Sequence, residues 1–201
     1  EMSIKTAIGG DTTNEVAMDV MTSVVNAYGE EVISYTEVSD QMFEAMKRGK
    51  VTIDGFASNL YSVLPAAKAV EVPFYNITGA LSTMTATGTP IAQATTQVGR
   101  MFLEFSREEA KASKYLKQAT GKTFKELIAE GHDLQYILQI MDQVANHLGV
   151  ELNNLFNTAE AGNAAFALTG KATERFRNDL DGLKNSTGAA EAAYEEMAGG
   201  L

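Results

Sequence analysis

Apolar residues recur at spacings of three and four along nearly the whole chain, a period that belongs to helices rather than strands. In TNEVAMDVMTSVVNAYG, Val16, Val20 and Val24 share a face with Ala17, Met21 and Tyr28 beside them, and Gly29 stands where the helix should close. SYTEVSDQMFEAMKRG opens on Ser34-x-x-Glu37, a capping box, and closes on Lys47, Arg48 and Gly49. A third helix is expected from about Asp54 to Leu64, burying Phe56, Leu60, Val63 and Leu64, with Pro65 bending or restarting it. A fourth starts at Pro73, a favoured first helical residue, and presents Phe74, Ile77, Leu81 and Met84.

The second half continues in the same way. GTPIAQATTQVGRMFLEF reads as a helix capped by Thr89 with Pro90 at its first position, and Ile91, Ala94, Val98, Phe102 and Phe105 form its stripe. Ser106-x-x-Glu109 is a second capping box, opening REEAKASKYLKQAT. Asp133 starts a long amphipathic helix carrying Leu134, Ile137, Leu138, Met141, Val144, Ala145 and Leu148. Shorter helices follow: Leu152 to Phe156, an alanine-rich one ending at Gly170, one bearing Phe176, Leu180 and Leu183, and a last one ending near Met197. The pattern predicts an all-α fold of about ten to twelve short antiparallel helices and no β-sheet.

Gly29 and Gly49, and then Gly131, Gly149, Gly170 and Gly188, punctuate this pattern, the first two 20 residues apart and the last four at gaps of 18, 21 and 18, the length of one helix plus its turn. No residue motif repeats with them. The spacing predicts consecutive helices packed as hairpins, in a compact or slightly solenoidal arrangement. No linker divides the chain, so residues 1–201 read as one helical domain, with a weak seam at Ala119 to Lys122.

Charge narrows the choice of partners. There are 16 basic and 26 acidic residues, a net charge of −10, which disfavours direct contact with nucleic acid or an anionic membrane. The absence of cysteine excludes disulfides, thiolate metal sites and a cysteine nucleophile. Apolar runs such as Val63 to Ala67 fall far short of the roughly 18–20 residues a membrane span needs. No signal-peptide pattern opens the given residues, and the start at Glu1 and the ending AGGL are those expected of a piece of a longer chain.

Two stretches suggest chemistry. QATGKTFKELIAEG contains Gly121-Lys122-Thr123, the ending of a phosphate-binding P-loop, and LTGKAT repeats part of it at 168 to 173. A P-loop needs another glycine five positions before Gly121, where Leu116 stands; for Gly170 the equivalent is Ala165, and Ala172 follows Lys171. Both stretches also follow helices, not strands. They read as left-handed helix-ending glycines, with Thr123-x-x-Glu126 capping the next helix. His132 and His147 lie fifteen residues apart without ligand-like neighbours, His132 at a solvent-facing turn and His147 near a helix C-terminus. None of Glu30-Glu31, Glu108-Glu109 and Glu195-Glu196 has the apolar flanks on both sides that would raise a catalytic acid. Met21, Met42, Met46, Met84 and Met141 fall at core spacing. No catalytic, cofactor-binding or metal-binding residue is assigned, and no cofactor is expected.

The segment VMTSVVNAYGEEVISYTEVSDQMFEAMKRGKVTIDGFASNL resembles the core region of phage tail tape-measure proteins. The same holds for GALSTMTATGTPIAQATTQVGRMF, TFKELIAEGHDLQYILQIM and LFNTAEAGNAAFALTGKATERFRNDLDGLKNSTGAAEAAYEEM. Their order and spacing follow the family from about Thr6 to Met197, and NAYG, GTPIAQATT, FKEL with GHDLQ, and AFALTG are the most diagnostic pieces. The family's core begins with further helices that are missing here. The resemblance carries over no catalytic residues.

The resemblance implies a non-enzymatic structural role in the tail-tube lumen, with assembly in the host cytoplasm. Several copies of a tape-measure protein run through the lumen while tube subunits polymerise around them, and the protein leaves ahead of the genome. Implied partners are other copies, the tail-tube protein, a tail assembly chaperone and tail-tip proteins. Direct nucleic-acid binding is not expected, and membrane contact is expected only through parts outside this segment. The residues leave one alternative open, a helical adaptor whose methionine-lined groove takes a partner helix.

Overall fold

Capping and apolar periodicity set most of the helix boundaries in the computed structural model of the chain, which describes residues 1–199. Among these residues there are thirteen α-helices and no strand. The first seven are α1 (Met2–Gly9), α2 (Asn14–Tyr28), α3 (Tyr35–Arg48), α4 (Ile53–Asn59), α5 (Leu64–Ala69), α6 (Phe74–Ala86) and α7 (Ile91–Phe105). The rest are α8 (Lys111–Thr120), α9 (Phe124–Ala129), α10 (Leu134–Leu148), α11 (Ala159–Ala167), α12 (Thr173–Lys184) and α13 (Ala189–Gly199). Short 3₁₀ turns cover Leu60–Ser62, Leu152–Leu155 and Gly170–Ala172.

Two capping boxes form as the sequence predicts. Ser34 accepts from the Glu37 amide while Glu37 accepts from the Ser34 amide at 2.8 Å, and Thr123 and Glu126 do the same. These amide hydrogen bonds hold both glutamates below the ordinary carboxylate value, so they stabilise the fold above about pH 4.5, and that contribution is lost as pH falls through the lowered values. Replacing Glu37 and Glu126 with alanine should therefore lower the urea midpoint at pH 7, and the gap from wild type should narrow as pH falls below about 4.5.

Several expected boundaries move. Ser106 does not cap α8: its hydroxyl donates to the Leu103 carbonyl at 2.7 Å, closing α7. Instead α8 begins at Lys111, whose amide is taken at 2.8 Å by the side chain of Asn157, a tertiary cap that no local motif encodes. Thr89 makes no cap either, and both Pro73 and Pro90 stand one residue before their helices with ψ of 148° and 144°. The proline ring fixes φ, but an extended ψ keeps these residues outside the helix. The expected third helix stops at Asn59, where the 3₁₀ turn intervenes, and the chain restarts at Leu64 with Pro65 in its first turn. With α1, which the periodicity did not reveal, this break brings the helix count above twelve.

The sequence shows one apolar stripe on α6, yet that helix is buried on all sides, and α3, α7 and α12 pack around it. Its Thr78, Ser82 and Thr85 hydroxyls donate to carbonyls three or four residues earlier, so polar side chains survive in the core without free donors. A single connected cluster of buried side chains runs from Val20 to Leu183, taking in Met21, Met42, Met84 and Met141. Helices distant in sequence also meet: α1 packs on α13, α6 on α12 and α7 on α11. In a strict solenoid each unit touches only its neighbours. These pairings belong to the closed arrangement of the two that the helix spacing left open.

Gly49 shows how closely the helices approach. A methyl group there would lie 2.7 Å from Ser82 Cα and 2.9 Å from the Ser82 carbonyl oxygen of α6. Gly49→Ala should cost about 1–3 kcal/mol by overpacking, measured as a lower urea midpoint.

Candidate functional site

The Gly-Lys-Thr stretch forms a helix-to-helix turn whose amides are all occupied. Gly121 adopts the left-handed conformation at φ 73° and donates to the Lys117 carbonyl at 2.8 Å. The Lys122 amide goes to the Thr120 hydroxyl at 3.1 Å and the Thr123 amide to Glu126 at 2.7 Å. A phosphate cradle requires these same N–H groups to point outward together, and here they are spent on capping. Gly170 also has a positive φ, 58°, but it opens a 3₁₀ turn instead of a phosphate loop.

The two histidines border one groove of about 740 Å³ between α8, α9 and α10. His132 was expected to face solvent. It is half-buried, with its ring stacked on Tyr136 at 3.9 Å between centroids and 10° between planes. His147 lies in the last turn of α10, where a cation complements the helix dipole. Fifteen residues of helix separate groups by roughly 20 Å, so the pair cannot share a metal ion. Among the described residues, no group of three or more His, Asp or Glu side chains is arranged to hold one. The groove wall includes Ile140, Val144 and Leu148, which form a second, partly exposed apolar stripe on α10 besides the one facing the core.

The carboxylate pairs Glu30-Glu31, Glu108-Glu109 and Glu195-Glu196 are all exposed. The buried carboxylates lie elsewhere, and each ties distant segments together. Glu104 accepts from the Asn157 amide at 2.7 Å and from the Thr158 amide and hydroxyl at 2.8 Å. Asp40 accepts from the Gly188 and Ala190 amides at 3.0 and 2.9 Å, holding the N-terminus of α13. Asp179 accepts from Thr83 at 2.7 Å and lies 3.5 Å from both Arg48 and Arg175. A carboxylate with its oxygens committed to internal donors is built for holding segments together, not for proton transfer.

Sequence reasoning missed a charge asymmetry that simple counting along the chain would have found. Residues 100–125 hold seven of the 16 basic residues but only three of the 26 acidic ones, and one of those three, Glu104, is buried. The positive side chains gather on α8 and its neighbours, between two surface grooves.

Comparison with known proteins gives this architecture a family. The phage-related minor tail protein family matches the chain over residues 1–143. The chain is 34% identical, over 98% of its length, to a protein of Clostridium phage phiCD119 named "Probable tape measure protein". It spans about a fifth (22%) of that relative's length. No solved structure matches. No helix among the described residues is long and apolar enough to cross a membrane. Taken with the all-α fold and the tape-measure-like blocks spread along the chain, the match over residues 1–143 places this chain in the phage-related minor tail protein family, as a structural component of the phage tail.

Proposed function

We propose that residues 1–201 form a single core unit of a tape-measure protein that helps set tail length and scaffolds assembly of the tail tube. The observation that carries this reading is the 34% identity extending over 98% of the chain, too long a span to be a shared local motif. On this reading the segment assembles in the host cytoplasm, lies in the tube lumen, and leaves ahead of the genome. It associates there with other copies and with tube, chaperone and tip proteins, and performs no catalysis. Direct binding to nucleic acid is not part of this reading, and any membrane contact belongs to parts of the parent chain beyond this segment.

We also propose that the unit works folded. Supporting this, α1 and α13 pack against each other, Lys5 pairs with Glu191, and Asp40 caps α13, so both ends of the fold are fastened at one place. Threading the segment as one straight helix of roughly 300 Å would break all of these contacts.

Protease protection tests the location. In intact purified tails the segment should resist added protease and stay detectable by an antibody raised against it, and triggered ejection should release it into the supernatant. Digestion in intact tails would overturn a lumenal position.

A further inference from the structure

We propose that the basic ridge of α8, with the grooved surface it forms beside α5 and α7, docks an acidic amphipathic helix of a partner protein. α8 buries Ala112 and Leu116 and leaves Lys111, Lys114 and Lys117 exposed at i, i+3 and i+6, along one side of the helix. Among the described residues, no carboxylate lies within ion-pair distance of Lys114, Lys117 or Arg100. The chain as a whole is strongly acidic, with 26 acidic residues against 16 basic. Unpaired cations gathered in one place on such a body therefore make a charge pattern that an acidic partner complements.

Part of the surface beside these cations is apolar. Pro65, Ala66, Ala69 and Leu103 line a groove of about 380 Å³ that Arg100 borders. Ala69 also belongs to the next groove, of about 560 Å³, whose lining residues are mostly polar and include Lys114, Lys117 and Lys125 beside Glu108, with Val70 and Phe105 buried beneath it. An apolar floor flanked by free ammonium groups matches a helix with one apolar stripe and glutamates beside it, the helix-in-groove mode of recognition. Nucleic acid would satisfy the cations but leave the apolar floor unused, and the remaining surface would repel it. The inference stands apart from the tail role: its failure would leave that role untouched, and a different role would leave this surface in place.

The test uses the full chain and two labelled synthetic helical peptides of equal length with the same leucine stripe, one flanked by glutamates and one by lysines. A labelled oligonucleotide is included. Fluorescence anisotropy should show binding of the glutamate peptide, weakened by added salt, with at least ten-fold loss for the double variant K114E/K117E. Those side chains are exposed, so circular dichroism of the variant should match wild type, and a control reversal at Lys50 and Lys171 should bind normally. Equal or tighter binding of the lysine peptide or the oligonucleotide would overturn the proposal, as would binding indifferent to K114E/K117E. Self-association of the chain alone, lost in K114E/K117E, would assign the surface to a second copy and likewise overturn it.

Discussion

Replacing Phe102 with alanine is expected to cost about 3–5 kcal/mol of folding stability. Phe102 is fully buried on α7 and meets Phe124 of α9 edge-on, with ring centroids 6.0 Å apart. Phe124 lies 4.8 Å from Phe105, which in turn meets Phe156 edge-on at 5.8 Å. This aromatic chain joins α7, α9 and the turn before α11, so removing one ring opens a cavity and also breaks an edge-to-face contact. Domains of this kind are stable by only about 5–15 kcal/mol, so this one change removes a large share of the total. Urea unfolding followed by circular dichroism measures the loss. Met18, which is 46% exposed, is the control, and its alanine variant should stay within about 0.5 kcal/mol of wild type. A Phe102→Ala loss below about 1 kcal/mol would contradict this packing.

Glu104→Ala should be the next most damaging change, at roughly 3 kcal/mol, given about 1.5–3 kcal/mol for each hydrogen bond to a charged group and partial rescue by water. It strips the Asn157 amide and both donors of Thr158 of their acceptor, and the Thr158 hydroxyl itself accepts from the Ala161 amide to cap α11. The damage should therefore be local as well as global: hydrogen exchange should accelerate first in α11, before α6. Thr158→Ala removes only the cap and should cost about 1 kcal/mol. If the two variants prove equally damaging, the carboxylate is not what holds α11 against α7.

What could be read from the residues was whatever is decided within a few positions. Ser34 with Glu37, Thr123 with Glu126, and the Asp133 cap on α10 act over three residues, and all three form. The helical stripes on α2 and α7 likewise point inward. The failures arise where the deciding partner is far away in sequence. Asn157 starts α8 in place of Ser106 from 46 positions away, and Asp40 caps α13 from 150 positions before Ala190. Nothing near either residue announces that role. The all-round burial of α6 was hidden for a related reason: its threonines and serines look like a polar face until their hydroxyls are seen bonded back onto the helix. The basic cluster around α8 was legible all along, but the net charge of −10 averages it away.

The most direct test of the account is the tail made when this segment is deleted in frame from the full-length gene, measured by electron microscopy. A folded unit of a tape-measure protein predicts that tails of regular wild-type length are no longer made, with tubes absent or uncontrolled in length. Regular tails shortened by roughly 300 Å, the span of the segment as one continuous helix, would contradict the folded state. Infectious particles with tails of normal length would contradict the tape-measure role itself.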